Sequence, residues 1–385
     1  MELSRPIWLP SREHALALLD DYLDAASSPH GLLNVVHVPW LRAVVTDFYA
    51  RPFQELGQSG SEVYTTTCHA ALILGVAATA AFFWEEPRAG ESGTRHPFES
   101  RGHAEHFLRL WRKAAWDLLD QARRAATAIA GGSLVEVQAV LVLADLIYNM
   151  EGCSTLFRQF HSTALAVARE AKLHLVDSAT ADCAMLREIK RRVWWYIAST
   201  DWLMGPMGGP SDRIYSINPQ HMQVHWPRNV NDSELATLDD NSSPPQTGPP
   251  PAADPPTDVT GLMCRLRLAV ISRHIVDAQP LGAGGGDVDA LPFDRVLALS
   301  ALFDDALAAL PVAAERNTNT GSAVRDPGGW QRGVLHLAIH ARRARFLRPF
   351  LAQPGIADAD PRFMRFRATC LASARAVLGI GAGLL

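Results

Sequence analysis

The chain has 385 residues, 48% of them apolar and 20% charged, with a formal net charge of −4. That apolar share suffices for one large core or two packed lobes, and the charge balance does not resemble the basic surface by which a stand-alone DNA binder draws phosphates, though it leaves room for local basic patches. The five cysteines, Cys68, Cys153, Cys183, Cys264 and Cys370, form no CxxC pair, which excludes a zinc finger or ribbon assembled from local spacing.

An odd cysteine count without a leader points to a reducing, intracellular compartment. The opening Met-Glu-Leu-Ser-Arg-Pro lacks the charged-then-apolar order of a secretory signal. The longest apolar stretch, Ala70–Trp84, falls short of the ~20 residues a span requires, so no membrane segment is expected.

Helical periodicity dominates from the start of the chain. Ser11 can cap a first helix in which Leu16, Leu19, Tyr22 and Leu23 share a face. Further helices are expected over Pro39–Leu56, Ser61–Trp84 and Phe98–Ala130, the last with Phe107, Leu110, Trp111, Ala114 and Leu118 at three- and four-residue spacing. After Gly131-Gly132 comes Ser133-Leu-Val-Glu136, a capping box in which hydroxyl and carboxylate each take a free backbone N–H. The helix it opens, to about Met150, is apolar nearly all round and therefore central. Gly152 ends it, and Ser154–Leu173 follows at once as the second arm of an antiparallel hairpin.

A helix over Ala184–Met204 leads into the turn Gly205-Pro206-Met207-Gly208-Gly209-Pro210. Residues 231–257 carry seven prolines between Pro244 and Pro256 and few large apolar side chains, so a disordered Pro-rich loop is expected there. Helices resume over Asp258–Ala278, Pro292–Leu310, Trp330–Leu351 and Arg362–Leu378. The expectation is an all-α chain of roughly nine to eleven helices in antiparallel hairpins, forming one large domain over 1–385.

On a helix, the run Arg187 to Asp201 places Ile189, Val193, Tyr196, Ile197 and Thr200 together, and pairs Glu188 with Arg192 in the favourable i,i+4 order. Asp201, two turns past Trp194, can accept hydrogen bonds at a crowded helix junction. Arg187, Lys190, Arg191 and Arg192 read as a solvated or ion-paired edge of a core helix.

As a string, Arg187-Glu-Ile-Lys-Arg-Arg-Val-Trp-Trp195 resembles the middle homology region of fungal zinc-cluster transcription factors. Asp201 follows Trp195 at the family's spacing of six, then the Gly209-Pro210 turn, then Pro227-Arg-Asn229-Val-Asn-Asp232, which is similar to the family's closing Pro-x-Asn-x-x-Asp. The turn lacks the intervening Arg, and Trp202 stands where an Arg is usual. Leu9–Tyr22, Val35–Pro39, the capping-box hairpin, Arg345–Leu351 and Cys370–Ala376 resemble further family segments in the same order. The residues carrying the resemblance are Arg187, Glu188, Arg191, Arg192, Trp194, Trp195, Asp201, Gly209, Pro210, Pro227, Asn229 and Asp232.

The resemblance implies a transcription regulator in the nucleus and not an enzyme. Its partners would be a small-molecule effector or a regulatory protein, with a homodimer left open. DNA would be reached indirectly, or through an N-terminal six-cysteine zinc cluster that is missing before Met1; no other cofactor is implied. A cluster-free partner of a complete regulator is the alternative reading.

Four enzyme-like patterns occur along the chain. Asp20-Asp21-Tyr-Leu-Asp24 matches the DDxxD by which helical terpene synthases hold magnesium, but no second metal motif follows. His336 and His340 have the i,i+4 spacing of zinc ligands without the Glu a metalloprotease needs, and His103-Ala-Glu-His106 is one residue short of the inverted pattern. Gly282–Asp287 follows a helix and carries no Lys-Ser/Thr, so it is a loop, not a phosphate cradle.

Overall fold

The computed structural model describes residues 8–27, 35–50, 60–86, 97–125, 131–178, 182–207, 212–237, 248, 257–279, 288, 291–310, 327–352 and 361–384, and among them there is no strand. The all-α expectation is met. The chain divides into two compact units, residues 1–197 with 232–243, and residues 198–231 with 244–385.

The first unit holds α1 (Arg12–Ser27), α2 (Val38–Ala50), α3 (Gly60–Phe83), α4 (Arg101–Ala125), α5 (Leu134–Glu151), α6 (Thr155–Glu170) and most of α7 (Ala184–Met204). Ser11 caps α1 as expected, its Oγ accepting the His14 N–H at 3.2 Å. Helix α3 packs against α1, α2, α4 and α5. By length and composition α3 is long enough to cross a membrane, which corrects the shorter stretch read from sequence. Yet 72% of its most apolar window is buried inside the protein. Its unbroken run of small and branched residues thus serves as the inner wall of a helical core.

Helix α5 behaves as its composition requires: Val137 to Ile147 are buried on every side. Ser133 caps it, accepting the Glu136 N–H at 3.2 Å. The other half of the capping box does not form as predicted. Glu136 is only 2% exposed, and its carboxylate turns inward to accept from Arg123 Nε at 2.6 Å and from the Tyr64 hydroxyl. A buried charge gains more from a guanidinium and a phenol than from one backbone N–H, so the tertiary partners prevail. The fully buried Cys68 lies beside this cluster; burial first, then the Glu136 charge, pushes its thiol up to about 12.

Gly152 closes α5 with φ 68° and ψ −150°. That region is open almost only to glycine, and it reverses the chain within three residues into Ser154, which caps α6 by accepting the Phe157 N–H at 3.2 Å. The hairpin is sealed by Tyr148 against Phe157, with ring centroids 5.2 Å apart. Helix α6 leads into a short 3₁₀ helix, Leu173–Ser178.

The second unit contains the end of α7, a 3₁₀ turn at Gly205–Met207, and helices α8 (Thr260–Ala278), α9 (Phe293–Ala308), α10 (Pro327–Ala352) and α11 (Met364–Leu384). Helices α10 and α11 pack together, as the late pair of the resemblance implied. Phe350 lies 5.3 Å from both Phe363 and Phe366, and Phe293 lies 5.2 Å from Phe366, closing the apolar centre. Of the stretch expected to be a disordered loop, Asp232–Thr237 forms a 3₁₀ helix with Asp232 and Leu235 buried. Residues 238–247 and 249–256 lie outside the described residues, as do Gly282–Asp287.

Two outcomes follow from these contacts. Gly152→Ala should lower stability by about 1–3 kcal/mol in urea unfolding, because alanine is strained at that φ and ψ; an unchanged midpoint would refute the strain argument. At pH 8, below the raised Cys68 titration, a maleimide should label the exposed Cys153 and Cys183 at once. Buried Cys68, Cys264 and Cys370 should react only after unfolding; rapid labelling of Cys68 in the native protein would contradict its placement.

Candidate functional site

The residues singled out by sequence divide between the units: Arg187 to Trp195 and Asp232 belong to the first, and Asp201 to Asn229 to the second. In the first unit the organising element is the start of α7. Glu188, Arg191 and Arg192 stand three and four positions apart, so they share one face. That face is buried: Glu188 is 0% exposed, Arg191 4% and Arg192 3%. Of the two readings its composition left open, a solvated or an ion-paired edge, the ion-paired one holds, and at Arg191 and Arg192 it holds in the interior. Buried guanidiniums persist only when carboxylates come to them.

Glu188 serves both arginines, 3.3 Å from Arg191 and 3.4 Å from Arg192. Arg191 reaches outward to Asp177 of the Leu173–Ser178 turn, with Nε 2.9 Å from one carboxylate oxygen and a second nitrogen closer still. Arg192 Nη1 meets Asp232 Oδ1 at 2.5 Å. Burial works against the charge on Arg191, but the hydrogen bonds and field of Asp177, then those of Glu188, outweigh it and raise its titration above the ordinary value.

Asp232 does more than balance a charge. Its second oxygen accepts the Val38 N–H at the start of α2, 3.0 Å away, and its backbone carbonyl accepts from His37 Nε2 at 3.1 Å. One carboxylate thus ties α7 to α2 and to its own 3₁₀ helix. At the outer edge of α7, Lys190 pairs with Asp182 at 2.7 Å, and Arg187 donates to the Asp182 carbonyl at 2.8 Å. Trp194 and Trp195 are buried, with the His174 ring 5.7 Å from that of Trp194. Burial, then the Arg169 charge, lowers the His174 titration.

In the second unit, Asp201 accepts hydrogen bonds from the backbone N–H groups of Ser216 and Ile217, both at 2.8 Å, as its spacing led one to expect of a junction. Trp202 donates its indole N–H to the Ile217 carbonyl at 2.9 Å, and the Arg273 guanidinium sits 4.9 Å from its ring. The tryptophan that replaces an arginine of the family pattern therefore still supplies a donor, and it takes up a cation from α8 instead of presenting one. Pro227 is buried. Asn229 accepts from the Thr257 hydroxyl at 2.6 Å, bracing the approach to α8. Gly209 and Pro210 lie outside the described residues.

The enzyme-like patterns are placed as follows. Asp20 pairs with Arg42 at 2.6 Å, and the Asp24 side chain lies outside the described residues. His336 and His340 stack on each other with ring centroids 6.3 Å apart. His103 accepts the Glu99 N–H at 3.4 Å, and its ring lies 4.9 Å from that of Phe107 at a tilt of 51°. Among the described residues no group of three or more His, Cys, Asp or Glu side chains is arranged to hold a metal ion.

Reading along the chain missed Asp177, as it missed Asp182, the partner of Lys190. Nothing in the neighbourhood of Asp177 marks it, because its partner stands 14 residues away on another element.

The family model described as "Fungal specific transcription factor domain" matches residues 28–260. The chain is 35% identical to "Transcription factor TAS2" of Pyricularia oryzae, over 99% of this chain and 47% of that one. It is 31% identical to "Probable transcription factor lepB" of Aspergillus flavus, over 98% of this chain and 64% of that one. It is 30% identical to "Agnestins biosynthesis cluster transcription factor AgnL11" of Paecilomyces divaricatus, over 96% of this chain and 50% of that one. The chain thus spans about half to two thirds of the length of these relatives. No solved structure matches.

Asp232→Ala should destabilise the protein by about 3–5 kcal/mol, since it strands Arg192 in the interior. The double variant Arg192→Met, Asp232→Leu should recover much of that loss, because removing both charges leaves none uncompensated. Urea unfolding of the three proteins decides; a double variant no more stable than Asp232→Ala would count against the ion-pair account.

Proposed function

Because the chain belongs to the fungal specific transcription factor domain family, we propose that it is the regulatory region of a transcription regulator acting in the nucleus. Its task is to receive a signal and not to make or break bonds. It would contact DNA indirectly, through the zinc cluster of a complete regulator of which it forms part or with which it pairs.

The observation that carries this reading is the buried charge face of α7. Two arginines and three carboxylates drawn from separate segments meet in the interior. Such a network adds little net stability over an apolar core of the same shape, but it demands one particular arrangement of the elements it joins. A receiver needs that property: a packing that is either fully made or given up. An effector or partner protein then acts by binding one arrangement more tightly than the other, since equal affinity shifts nothing.

The reading is tested by fusing the whole chain to an unrelated DNA-binding domain and measuring a reporter behind the matching operator. The fusion should concentrate in the nucleus and change reporter output relative to the DNA-binding domain alone. Asp232→Ala should abolish the change. A folded, nuclear fusion with output equal to that of the bare DNA-binding domain would overturn the proposal.

A further inference from the structure

Helix α11 presents two faces of different character. Phe366, Cys370 and Ser373 point inward and are buried. Phe366 lies 5.3 Å from the ring of Phe350 on α10, and the Cys370 thiol donates to the Ala344 carbonyl at 3.3 Å. On the opposite side Met364, Ala368, Leu371, Arg375, Leu378 and Ala382 follow one another at alternating intervals of four and three, and all six are exposed. That alternation is the repeat by which helices pair along a coiled-coil seam.

The apolar content of this face sets it apart from the rest of the surface. Nine large apolar side chains are exposed among the described residues; Met364, Leu371 and Leu378 are three of them, and the other six fall no more than one to an element. Single exposed apolar residues are normal on a soluble protein, whereas three in register on one helix form a continuous strip. Leu378 is 74% exposed, so covering it with a partner removes much apolar surface from water. Between the large side chains stand Ala368 and Ala382, which lets the backbone of a second helix approach closely.

Charge identifies what covers the strip. Helix α11 carries three arginines and α10 five, and neither contains an aspartate or glutamate, in a chain whose net charge is −4. Arg375 stands in the seam itself and Arg365 on its flank, both exposed, and no carboxylate among the described residues pairs with either. A charge at a seam position selects the partner: a second copy of α11 would bring arginine towards arginine with no acid on the helix to oppose it. Nucleic acid would satisfy the arginines but gain nothing from Met364, Leu371 and Leu378. A helix with its own apolar stripe, and carboxylates beside it, answers both halves of the surface.

We propose that the outer face of α11 docks an acidic amphipathic helix of a partner protein. The partner's large apolar side chains lie between Met364, Leu371 and Leu378, and its carboxylates meet Arg365 and Arg375. The regulatory meaning of the seam rests on the function proposed above; its docking chemistry does not.

The test uses the full chain and a synthetic peptide of residues 364–384 carrying Arg365→Glu, Arg367→Glu and Arg375→Glu, a helix of the same apolar outline and opposite charge. Fluorescence anisotropy should show this acidic peptide binding one to one, and the unaltered peptide binding about tenfold more weakly or worse. In the chain, Leu371→Gln with Leu378→Gln should weaken the acidic peptide by about tenfold or more. The urea midpoint of that variant should stay level, because both side chains are exposed and glutamine keeps the helix propensity of leucine. Arg365→Glu with Arg375→Glu in the chain should invert the preference between the two peptides. Equal binding of the two peptides, undiminished binding in the glutamine variant, or no binding of the acidic peptide up to about 1 mM would overturn the seam. A chain that sediments as a dimer, and as a monomer once Leu371 and Leu378 are replaced, would overturn it in favour of a second copy. Displacement of the acidic peptide by random-sequence duplex DNA would overturn it in favour of nucleic acid. A chain that drives the reporter but ignores the acidic peptide refutes this seam alone; one that binds the peptide but leaves the reporter unmoved refutes only the regulatory reading.

Discussion

Burying a guanidinium obliges the chain to bring a carboxylate to it, and the first unit is arranged around meeting that obligation twice. Arg191 and Arg192 project from adjacent positions of α7 into the interior, with Glu188 between them. One intrahelical carboxylate cannot neutralise two cations, so Asp177 arrives from the turn after α6 and Asp232 from a segment forty residues further on. Each arrival dictates a chain path. Asp232 in addition takes the first N–H of α2 and, through its carbonyl, His37. Misplacing any of these segments leaves a charge stranded in low dielectric, and that penalty exceeds what most single contacts contribute.

The same logic operates more quietly at α5. An all-apolar helix has no preferred facing, so its rotation and depth must be set by the few polar groups it carries. Glu136, near its first turn, is held by Arg123 of α4 and Tyr64 of α3. Gln138 donates to the Val35 carbonyl at 2.8 Å, and Asp145, near the far end, accepts from Tyr196 at 3.2 Å and Asn149 at 2.8 Å. Polar groups at both ends of an otherwise featureless cylinder give it a register that dispersion contacts alone would leave degenerate. The second unit uses a smaller device. Asp201 and Trp202, adjacent on α7, take two N–H groups and one carbonyl of the 216–217 segment. That fixes an irregular stretch which has no helix of its own to satisfy its backbone.

Family membership and these networks illuminate each other. A position such as Trp202 can change residue type while keeping its task, because the task is to donate to a carbonyl and occupy volume, and an indole does both. Asp201 and Asp232 have less latitude, since each accepts at least two hydrogen bonds, backbone N–H groups among them, and only a carboxylate offers that many lone pairs in so short a side chain.

Much of this was legible along the chain wherever the governing distance is local. The extent of α7, the Ser11 and Ser133 caps, the break at Gly152, the Glu188–Arg192 pair and the readiness of Asp201 to accept all follow from helix geometry and the chemistry of three or four neighbouring residues. What the sequence could not determine was which way a charged side chain faces. Arg191 and Arg192 read as an edge either solvated or ion-paired, and Glu136 as the partner of Ser133, because an unplaced charge is cheapest in water or next to the nearest partner. Only the folded chain, by bringing Asp177, Asp232, Tyr64 and Arg123 within bonding distance, made burial the lower-energy choice.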